Sequence, residues 1–315
     1  MTAFETYFAG LKNKKIAVLG LGVSNRPLVR LLLEHGCKVI GCDKTPREKL
    51  DQEVLELEKA GCQLHLGDGY LDDLDADIAF RTPGMHPDIP GIAALRAKGA
   101  QVTSEMEVFF EVCPCKLLAV TGSDGKTTTT SLIAAMLKAE GKTVWLGGNI
   151  GTPLLPLCPQ IREDDIAVVE LSSFQLMDMQ RSPEIALVTN LAPNHLDVHK
   201  DMAEYTEAKT HIYAGERCER LVTNADNEIT AALAAAEAGT RQVVTFSTRQ
   251  DLSKGQALCL KNGHITLCQD GVDTPLLSLA DIRLPGEHNV QNYMSALGLV
   301  HDLLPPDAIR TVATT

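Results

Sequence analysis

The chain has 315 residues, which is more than one domain usually holds, and we therefore expect two domains with separate cores. Its formal net charge of -12 disfavours a nucleic-acid partner, because such binding depends on Lys and Arg neutralising phosphates. The start of the chain has no signal-peptide pattern and no segment reaches about 18 uninterrupted apolar residues, which predicts a cytoplasmic protein with no membrane association.

The nine cysteines are an odd number and include no C-x-x-C pair. Most lie in apolar surroundings, and Cys113 and Cys115 are the one close pair. A metal site is the alternative, but reduced structural thiols are the interpretation that this pattern favours.

Residues 14–43 predict a βαβ unit: a strand, a glycine turn, an apolar helix and a second strand that ends at Asp43. Gly20 and Gly22 fit the dinucleotide fingerprint, and Asp43 follows about 20 residues later, where a ribose-binding acid belongs. The third glycine is replaced by Asn25. NAD binding is therefore one alternative for this turn.

Short strands predicted at 77–80 and 101–103 complete a small Rossmann-like domain over residues 1–114, with Cys113-Pro114-Cys115 as the linker. From 115 to 315, strands at 166–171, 185–189, 221–223 and 243–246 alternate with helical stretches. This alternation predicts a second α/β domain, a doubly wound parallel sheet that opens with a phosphate loop. Residues 257–267 alternate around Asn262-Gly263, which predicts an appended β-hairpin.

The phosphate loop is the stretch VTGSDGKTTTT, residues 120–130. Gly122 and Gly125 allow backbone N–H groups to face a phosphate, Lys126 would neutralise it, and the Thr127 hydroxyl would bind Mg²⁺. The standard loop has glycine where this chain has Val120. A glycine-rich turn with an incidental lysine is the alternative.

Three further residues are candidates for chemistry. Glu170 ends an apolar strand and would emerge at the same sheet edge as the loop, as a Mg²⁺ ligand or a solvated acid. His195, with Asp197 and His199 nearby, follows another strand at that edge and could be catalytic or a metal ligand. Lys209 has the sequence pattern of a lysine on a helix surface.

Six blocks, in order and spacing, together resemble the Mur ligases. They are TGSDGKTTT, GGNIGTP, ELSSFQL, NLAPNHLDVH, YTEAKTHIY and LPGEHNVQNYMSAL. The resemblance covers residues 14–315, and in that family Val120 is normal. Within the family, ELSSFQL points to the members that add D-glutamate. The resemblance implies an ATP-dependent ligase of peptidoglycan precursor synthesis, with UDP-N-acetylmuramoyl-L-alanine and D-glutamate as substrates and with ATP and Mg²⁺ as cofactors.

The resemblance also implies site residues. The catalytic residues would be Lys126, His195 and Lys209, the last one carbamylated. Mg²⁺ would be held by Thr127, Glu170, His195 and Lys209. ATP would be bound by Gly122, Ser123, Asp124, Gly125, Lys126, Thr127, Thr128, Asn289 and Asn292. The UDP-linked substrate would be bound by Gly20, Gly22, Ser24, Asp43, Asn149 and Ser172.

Family members continue into a third domain that binds D-glutamate, and this domain is expected to be absent from the chain. We therefore expect a fragment, with a monomer favoured, that binds the UDP-linked substrate but forms no amide at a measurable rate. The alternatives are a related Mur or folyl-polyglutamate ligase, and a P-loop nucleotide-binding module without ligase chemistry.

Overall fold

The computed structural model describes residues 1–252 and 255–314. These residues form two compact units. The first is made of Met1–Pro114 and of two later segments, Pro153–Ile161 and Met177–Met179. The second is made of Cys115–Thr152, Arg162–Leu176 and the described residues from Gln180 onward. The α/β fold class predicted from the sequence is confirmed in both units.

The first unit contains a five-stranded parallel sheet with the strand order β3-β2-β1-β4-β5. Its strands are β1 (Lys15–Leu19), β2 (Lys38–Asp43), β3 (Gln63–Leu66), β4 (Ile78–Arg81) and β5 (Gln101–Thr103). Its helices are α1 (Ala3–Leu11), α2 (Asn25–Glu34), α3 (Gln52–Lys59), α4 (Pro90–Ala97) and α5 (Glu105–Val112), with 3₁₀ turns at Arg47–Lys49 and Leu155–Gln160. Because β2 and β4 flank β1 on opposite sides, the strand order reverses at the carboxyl end of β1, where open α/β sheets bind ligands.

Apolar periodicity explains how the first unit buries its sheet. Leu28, Val29, Leu31 and Leu32 form the buried stripe of α2, and β1 is buried at every residue after Lys15. A parallel sheet that is covered on both faces needs such nearly continuous apolar strands.

The second unit contains a nine-stranded sheet with the order β14-β13-β12-β11-β10-β9-β6-β8-β7. Its strands are β6 (Lys116–Thr121), β7 (Val144–Gly148), β8 (Ile166–Glu170), β9 (Ile185–Val188), β10 (Arg220–Asn224), β11 (Gln242–Ser247), β12 (Gln256–Lys261), β13 (His264–Gln269) and β14 (Val272–Ser278). Its helices are α6 (Lys126–Ala139), α7 (Ser173–Leu176), α8 (Met202–Ala214), α9 (Glu228–Glu237), α10 (Glu287–Val300) and α11 (Pro306–Thr314), with a 3₁₀ turn at Leu279–Asp281.

The neighbouring strands among β6 to β12 pair in parallel. Strand β13 pairs antiparallel with both β12 and β14. The predicted hairpin is thus formed by β12 and β13 around Asn262 and Gly263, which both have positive φ as a two-residue turn requires. A third antiparallel strand, β14, extends it. The register aligns Val120 with both Glu170 and Leu187, so that the ends of β6, β8 and β9 meet at one edge.

Candidate active site

The loop between β6 and α6 is a tight turn with no room for a side chain at its two glycines. Gly122 has a φ of 144° and Gly125 a φ of 77°, conformations that glycine adopts at low cost. A Cβ atom on Gly122 would lie 1.9 Å from Thr189 Oγ1, and one on Gly125 would lie 2.4 Å from Asn292 Oδ1. Both glycines are therefore needed for the loop that delivers the N-terminus of α6 to the sheet edge.

Lys126, the first residue of α6, extends its side chain back across this loop. Its Nζ donates hydrogen bonds to the carbonyl oxygens of Gly122 and Ser123, both at 2.9 Å. Burial lowers the pKa of Lys126, while the carboxylates of Glu170 and Asp124 act in the opposite direction. The ammonium group thus lies beside a helix N-terminus, where backbone N–H groups and the helix dipole favour an anion.

A network of oxygen and amide groups surrounds Glu170 at the end of β8. The Thr127 hydroxyl donates to Glu170 Oε2 at 2.7 Å, and Asn149 Nδ2 donates to Glu170 Oε1 at 2.8 Å. Glu170 is only 1% exposed, so its carboxylate relies on these partners and on the nearby lysines rather than on water. The structure therefore brings Lys126, Thr127 and Glu170 together at one sheet edge, as the sequence predicted. It also places Asn149, which the resemblance assigned to the UDP-linked substrate, against Glu170.

The chemistry of these donors fits a magnesium ion. Mg²⁺ prefers oxygen ligands and is usually held by one or two protein carboxylates together with phosphate oxygens. Thr127 offers a hydroxyl and Glu170 a carboxylate at the same sheet edge as the phosphate loop. Both are hard oxygen donors of the kind that this ion selects.

Lys209 is buried, and its interpretation as a surface lysine is wrong. It lies on α8 with 2% of its surface exposed, and its Nζ donates to Thr121 Oγ1 at 2.9 Å and to the carbonyl oxygen of Gly122 at 3.1 Å. Burial, reinforced by the charge of Lys126, lowers the pKa of Lys209 to about 7. The amine is therefore neutral in a large fraction of molecules at neutral pH. The helix pattern alone could not show that this face of α8 covers the phosphate loop.

His195 and His199 have different environments although they are four residues apart. His195 is exposed, has a φ of 54°, and its ring centre lies 5.1 Å from that of Phe174. In the described parts of the chain no hydrogen bond or ion pair joins His195 to Glu170. His199 is 2% exposed, stacks on Phe174 at 5.4 Å, and its Nε2 lies 2.9 Å from Ser173 Oγ.

Sequence reasoning missed the cluster that holds His199. Besides Ser173 and Phe174, the ring of Tyr205 packs edge-on against His199 at 5.2 Å, and the Tyr205 hydroxyl lies 3.0 Å from Ser123 Oγ. Burial lowers the pKa of His199. The sequence feature that could have indicated this cluster is the adjacent pair Ser173 and Phe174 in ELSSFQL. Asp197, by contrast, is exposed.

Asn289 and Asn292 lie in the first two turns of α10, and Asn292 lines a pocket beside the phosphate loop. Asn292 Nδ2 donates to Asn289 Oδ1 at 3.1 Å, and Thr129 Oγ1 donates to Asn292 Oδ1 at 3.3 Å. The pocket has a volume of about 280 Å³. It is lined by Asp124, Gly125, Thr128, Thr189, Asn190, Asn224, Phe246, His288, Gln291, Asn292 and Ser295. Of these, Asn224, Phe246, His288 and Gln291 had no clear signal in the sequence.

The remaining candidates of the second unit mostly hold the chain itself. The backbone N–H of Ser123 donates to Asn190 O, and that of Asp124 to Asn190 Oδ1. The Ser172 hydroxyl oxygen accepts from the backbone N–H of Gln175 at 3.3 Å, which caps the short helix α7, and Gln175 Oε1 accepts from the backbone N–H of Ser172 at 3.0 Å.

In the first unit, the glycine turn after β1 is braced by Asp43. Asp43 Oδ2 accepts from the N–H of Leu21 at 2.7 Å, and Oδ1 accepts from the N–H of Thr45 at 2.9 Å. Burial by itself would raise the pKa of Asp43, but these hydrogen bonds outweigh it and lower the pKa overall. Asn25, in place of a third glycine, donates to the carbonyl oxygen of Gly20 at 2.9 Å.

Gly22 and Ser24 lie on the open side of this turn. Both are exposed, a Cβ on Gly22 would meet no atom within 4 Å, and Ser24 makes no capping hydrogen bond although it precedes α2. The structure thus brings Gly20 and Asp43 together and leaves Gly22 and Ser24 accessible.

None of the helices in the described residues is long and apolar enough to cross a membrane.

Comparison with known sequences assigns the chain to a protein family. Residues 120–300 match the family described as the Mur ligase middle domain. The chain is 48% identical over 316 aligned residues to the UDP-N-acetylmuramoylalanine–D-glutamate ligase of Acetivibrio thermocellus, and 46% identical over 313 to that of Clostridium botulinum. These alignments cover 100% and 99% of this chain and 67% of each relative. The chain thus spans about two thirds of their length.

Solved structures show a similar fold at low identity. A UDP-N-acetylmuramate:L-alanyl-gamma-D-glutamyl-meso-diaminopimelate ligase from Neisseria meningitides superposes with a TM-score of 0.60 at 18% identity, covering 96% of this chain and 98% of that one. A UDP-N-acetylmuramate-alanine ligase from Thermotoga maritima gives 0.53 at 20% identity, covering 96% of this chain and 68% of that one.

Proposed function

Since the chain belongs to the Mur ligase family, we propose that it serves the ATP-dependent joining of D-glutamate to UDP-N-acetylmuramoyl-L-alanine, a step of peptidoglycan precursor synthesis. Mur ligases are amide ligases that use ATP and Mg²⁺. The observation that carries the proposal is the cluster of Thr127, Glu170 and Asn149 beside Lys126, which joins a phosphate loop to an oxygen-rich metal site.

ATP would place its phosphates on the loop of residues 122–127. Lys126 would exchange its two loop carbonyls for phosphate oxygens, which are stronger acceptors because they are charged. The nucleoside would enter the pocket lined by Asn292, which is hydrogen-bonded to Asn289. Asp124 and Thr128 would form the loop side of this pocket, next to Ser123 in the loop.

The first step would be attack of the substrate carboxylate on the γ-phosphorus of ATP. The new bond joins a carboxylate oxygen to phosphorus, the bond to ADP breaks, and an acyl phosphate results. Both reactants are anionic, so Lys126 and the N-terminus of α6 would offset their repulsion. The amine of D-glutamate would then displace phosphate and lose a proton to form the amide.

Thr127, Glu170, His195 and carbamylated Lys209 would hold Mg²⁺, which supplies charge neutralisation for the transferred phosphoryl group. Carbamylation would add CO₂ to the neutral amine of Lys209 and release a proton. The support for it is chemical: burial and the charge of Lys126 lower the pKa of Lys209 to about 7, which makes the reactive neutral amine accessible near neutral pH, and the product is an anion beside Lys126.

The UDP part of the substrate would lie at the carboxyl edge of the first unit, within the proposed domain 1–114. Gly20 shapes the turn, Asp43 braces it, and Gly22 and Ser24 are open to a ligand. Asn149 and Ser172 would contact the muramoyl part. Asn149 is oriented for this by the hydrogen bond that it donates to Glu170.

Calorimetry with a panel of UDP-linked precursors tests this proposal. The 315-residue chain is titrated with UDP-N-acetylmuramate, with its L-alanyl derivative and with the L-alanyl-D-glutamyl derivative, each in the presence of MgATP. We expect the L-alanyl compound to bind most tightly. Preference for either of the other two would support a related ligase, and nucleotide binding without any response to a UDP sugar would support a nucleotide-binding module.

A further inference from the structure

The carboxyl end of the first sheet is bounded by two loops that touch. The glycine turn follows β1, and a loop over residues 82–87 follows β4. Thr82 donates its N–H to the carbonyl oxygen of Leu19 at 2.9 Å, and a Cβ on Gly20 would lie 2.7 Å from Thr82 Cγ2. Since the strand order reverses between β1 and β4, these two loops form the walls of the expected ligand crevice.

Arg81, the last residue of β4, lies beneath the second of these loops and is 1% exposed. Its Nη1 donates to three carbonyl oxygens of the loop, those of Thr82 at 3.2 Å, Pro83 at 3.2 Å and Met85 at 2.6 Å. The loop backbone is thus folded around one guanidinium group.

Asp178, in the Met177–Met179 segment of the same unit, balances this buried charge. Arg81 Nε donates to Asp178 Oδ2 at 3.3 Å, and Arg81 Nη2 forms an ion pair with Oδ1. Arg96 donates to Asp178 Oδ2 at 3.2 Å and to the carbonyl oxygen of Pro87 at 2.7 Å. Two arginines on one carboxylate therefore hold four carbonyls of the loop.

A buried ion pair is a poor means of adding stability, because desolvation of both charges offsets most of their attraction. A planar guanidinium with five donors is, however, well suited to fixing several acceptors in one geometry. The arrangement is therefore better explained by control of the loop shape than by stability.

We propose that Arg81 is a positioning residue: with Asp178, it fixes the 82–87 loop in the shape that grips the nucleoside diphosphate of the substrate against the glycine turn. This inference rests on the proposed function, since it assumes a UDP-linked ligand in this crevice. Arg81 would act through the loop carbonyls and would not touch the ligand itself.

The test is the variant Arg81→Lys, which keeps the charge opposite Asp178 but cannot reach three carbonyls and the carboxylate together. We expect the Kd for UDP-N-acetylmuramoyl-L-alanine to rise about 10- to 100-fold, the range that a displaced binding group causes, while the Kd for MgATP stays unchanged. Arg96→Lys should give a smaller rise, because Arg96 holds one loop carbonyl and is 40% exposed.

Arg220→Lys is the matched control in the second unit. Arg220 makes a two-pronged pair with Asp302 and donates to the carbonyl oxygen of Leu299, with 11% of its side chain exposed. It should lower the melting temperature about as much as Arg81→Lys but leave the Kd for the UDP-linked substrate unchanged.

The proposal is overturned if Arg81→Lys binds this substrate as the wild type does, or if Arg220→Lys weakens it equally. If Arg81→Lys fails to fold, Arg96→Lys decides, and unchanged binding in that variant overturns the proposal. A wild-type chain that does not bind the substrate at all would instead contradict the proposed function.

Discussion

Each unit begins its parallel sheet with a strand that ends in a glycine loop, β1 before Gly20 and β6 before Gly122. Both loops lie where the strand order reverses, and both use positive φ. They differ in their side chains. The first loop is braced by Asp43 and Asn25, and the second is surrounded by Lys126, Lys209, Thr127 and Glu170. Similar backbone turns thus carry different side chains: a bracing carboxylate and amide in one unit, and two lysines with a carboxylate and a hydroxyl in the other.

Of the substitutions proposed for the two loops, replacement of Lys126 should have the largest effect. In Lys126→Ala the second loop keeps its backbone but loses its cation, and we expect MgATP binding to weaken by about 100-fold or more, because a charge-assisted contact to phosphate is lost. Calorimetry measures the Kd for MgATP in the variant and in the wild type. Lys138→Ala, an exposed lysine on the same helix, is the control and should bind normally. Near-normal binding by Lys126→Ala would contradict the assignment of the loop.

Lys209 tests whether the second loop depends on an added anion. With carbon-13-labelled bicarbonate, NMR should detect a carbamate in the wild type that is absent in Lys209→Ala. Because the pKa of about 7 lies below the usual value, the neutral amine becomes more abundant as pH rises through 7, and the signal should grow over the same range.

The same substitution should weaken Mg²⁺-dependent ATP binding about tenfold or more, with partial recovery on addition of short carboxylates that can occupy the place of the carbamate. Full binding without additives, together with an unchanged NMR spectrum, would show that Lys209 is not carbamylated.

These two lysines also show how much of the site could be predicted from the sequence. The βαβ pattern, the phosphate loop and Glu170 at a strand end were predictable, because strand periodicity and the parallel register together place such residues at one edge. The burial of Lys209 was not, since it depends on which face of α8 covers the loop. Strands β3, β7 and β14 were missed as well: each is an edge strand of its sheet, is short of full burial, and is therefore not marked by the continuous apolar run of a central strand.

Gly20 and Gly22 offer a sharper test of the first loop. Gly20→Ala combines a φ of 87° with a Cβ 2.7 Å from Thr82 Cγ2, and we expect it to lower the free energy of unfolding by about 1–3 kcal/mol. Gly22→Ala enters open space without positive φ and should change it by less than about 0.5 kcal/mol. Urea denaturation compares the two. Equal effects would mean that the turn does not depend on its packing against the loop after β4.

Asp43 gives the smallest expected effect and separates bracing from catalysis. In Asp43→Asn one side-chain atom becomes a donor, so either the Leu21 or the Thr45 N–H loses its acceptor, and the free energy of unfolding at pH 7 should fall by about 1 kcal/mol.

The stabilisation by Asp43 should also depend on pH. Because the folded-state pKa of Asp43 is lowered, its contribution is present above the unfolded value of 3.8 and is lost as pH falls through the folded value. The difference between wild type and variant, measured by urea denaturation, should therefore be constant near neutral pH and shrink below about pH 4. Exposed Asp68, changed to Asn, is the control and should leave the free energy of unfolding at pH 7 within about 0.5 kcal/mol of the wild type. Since Asp43 braces a turn and carries no reacting group, its replacement should leave MgATP binding unchanged, whereas a loss of MgATP binding would contradict the separation of roles between the two loops.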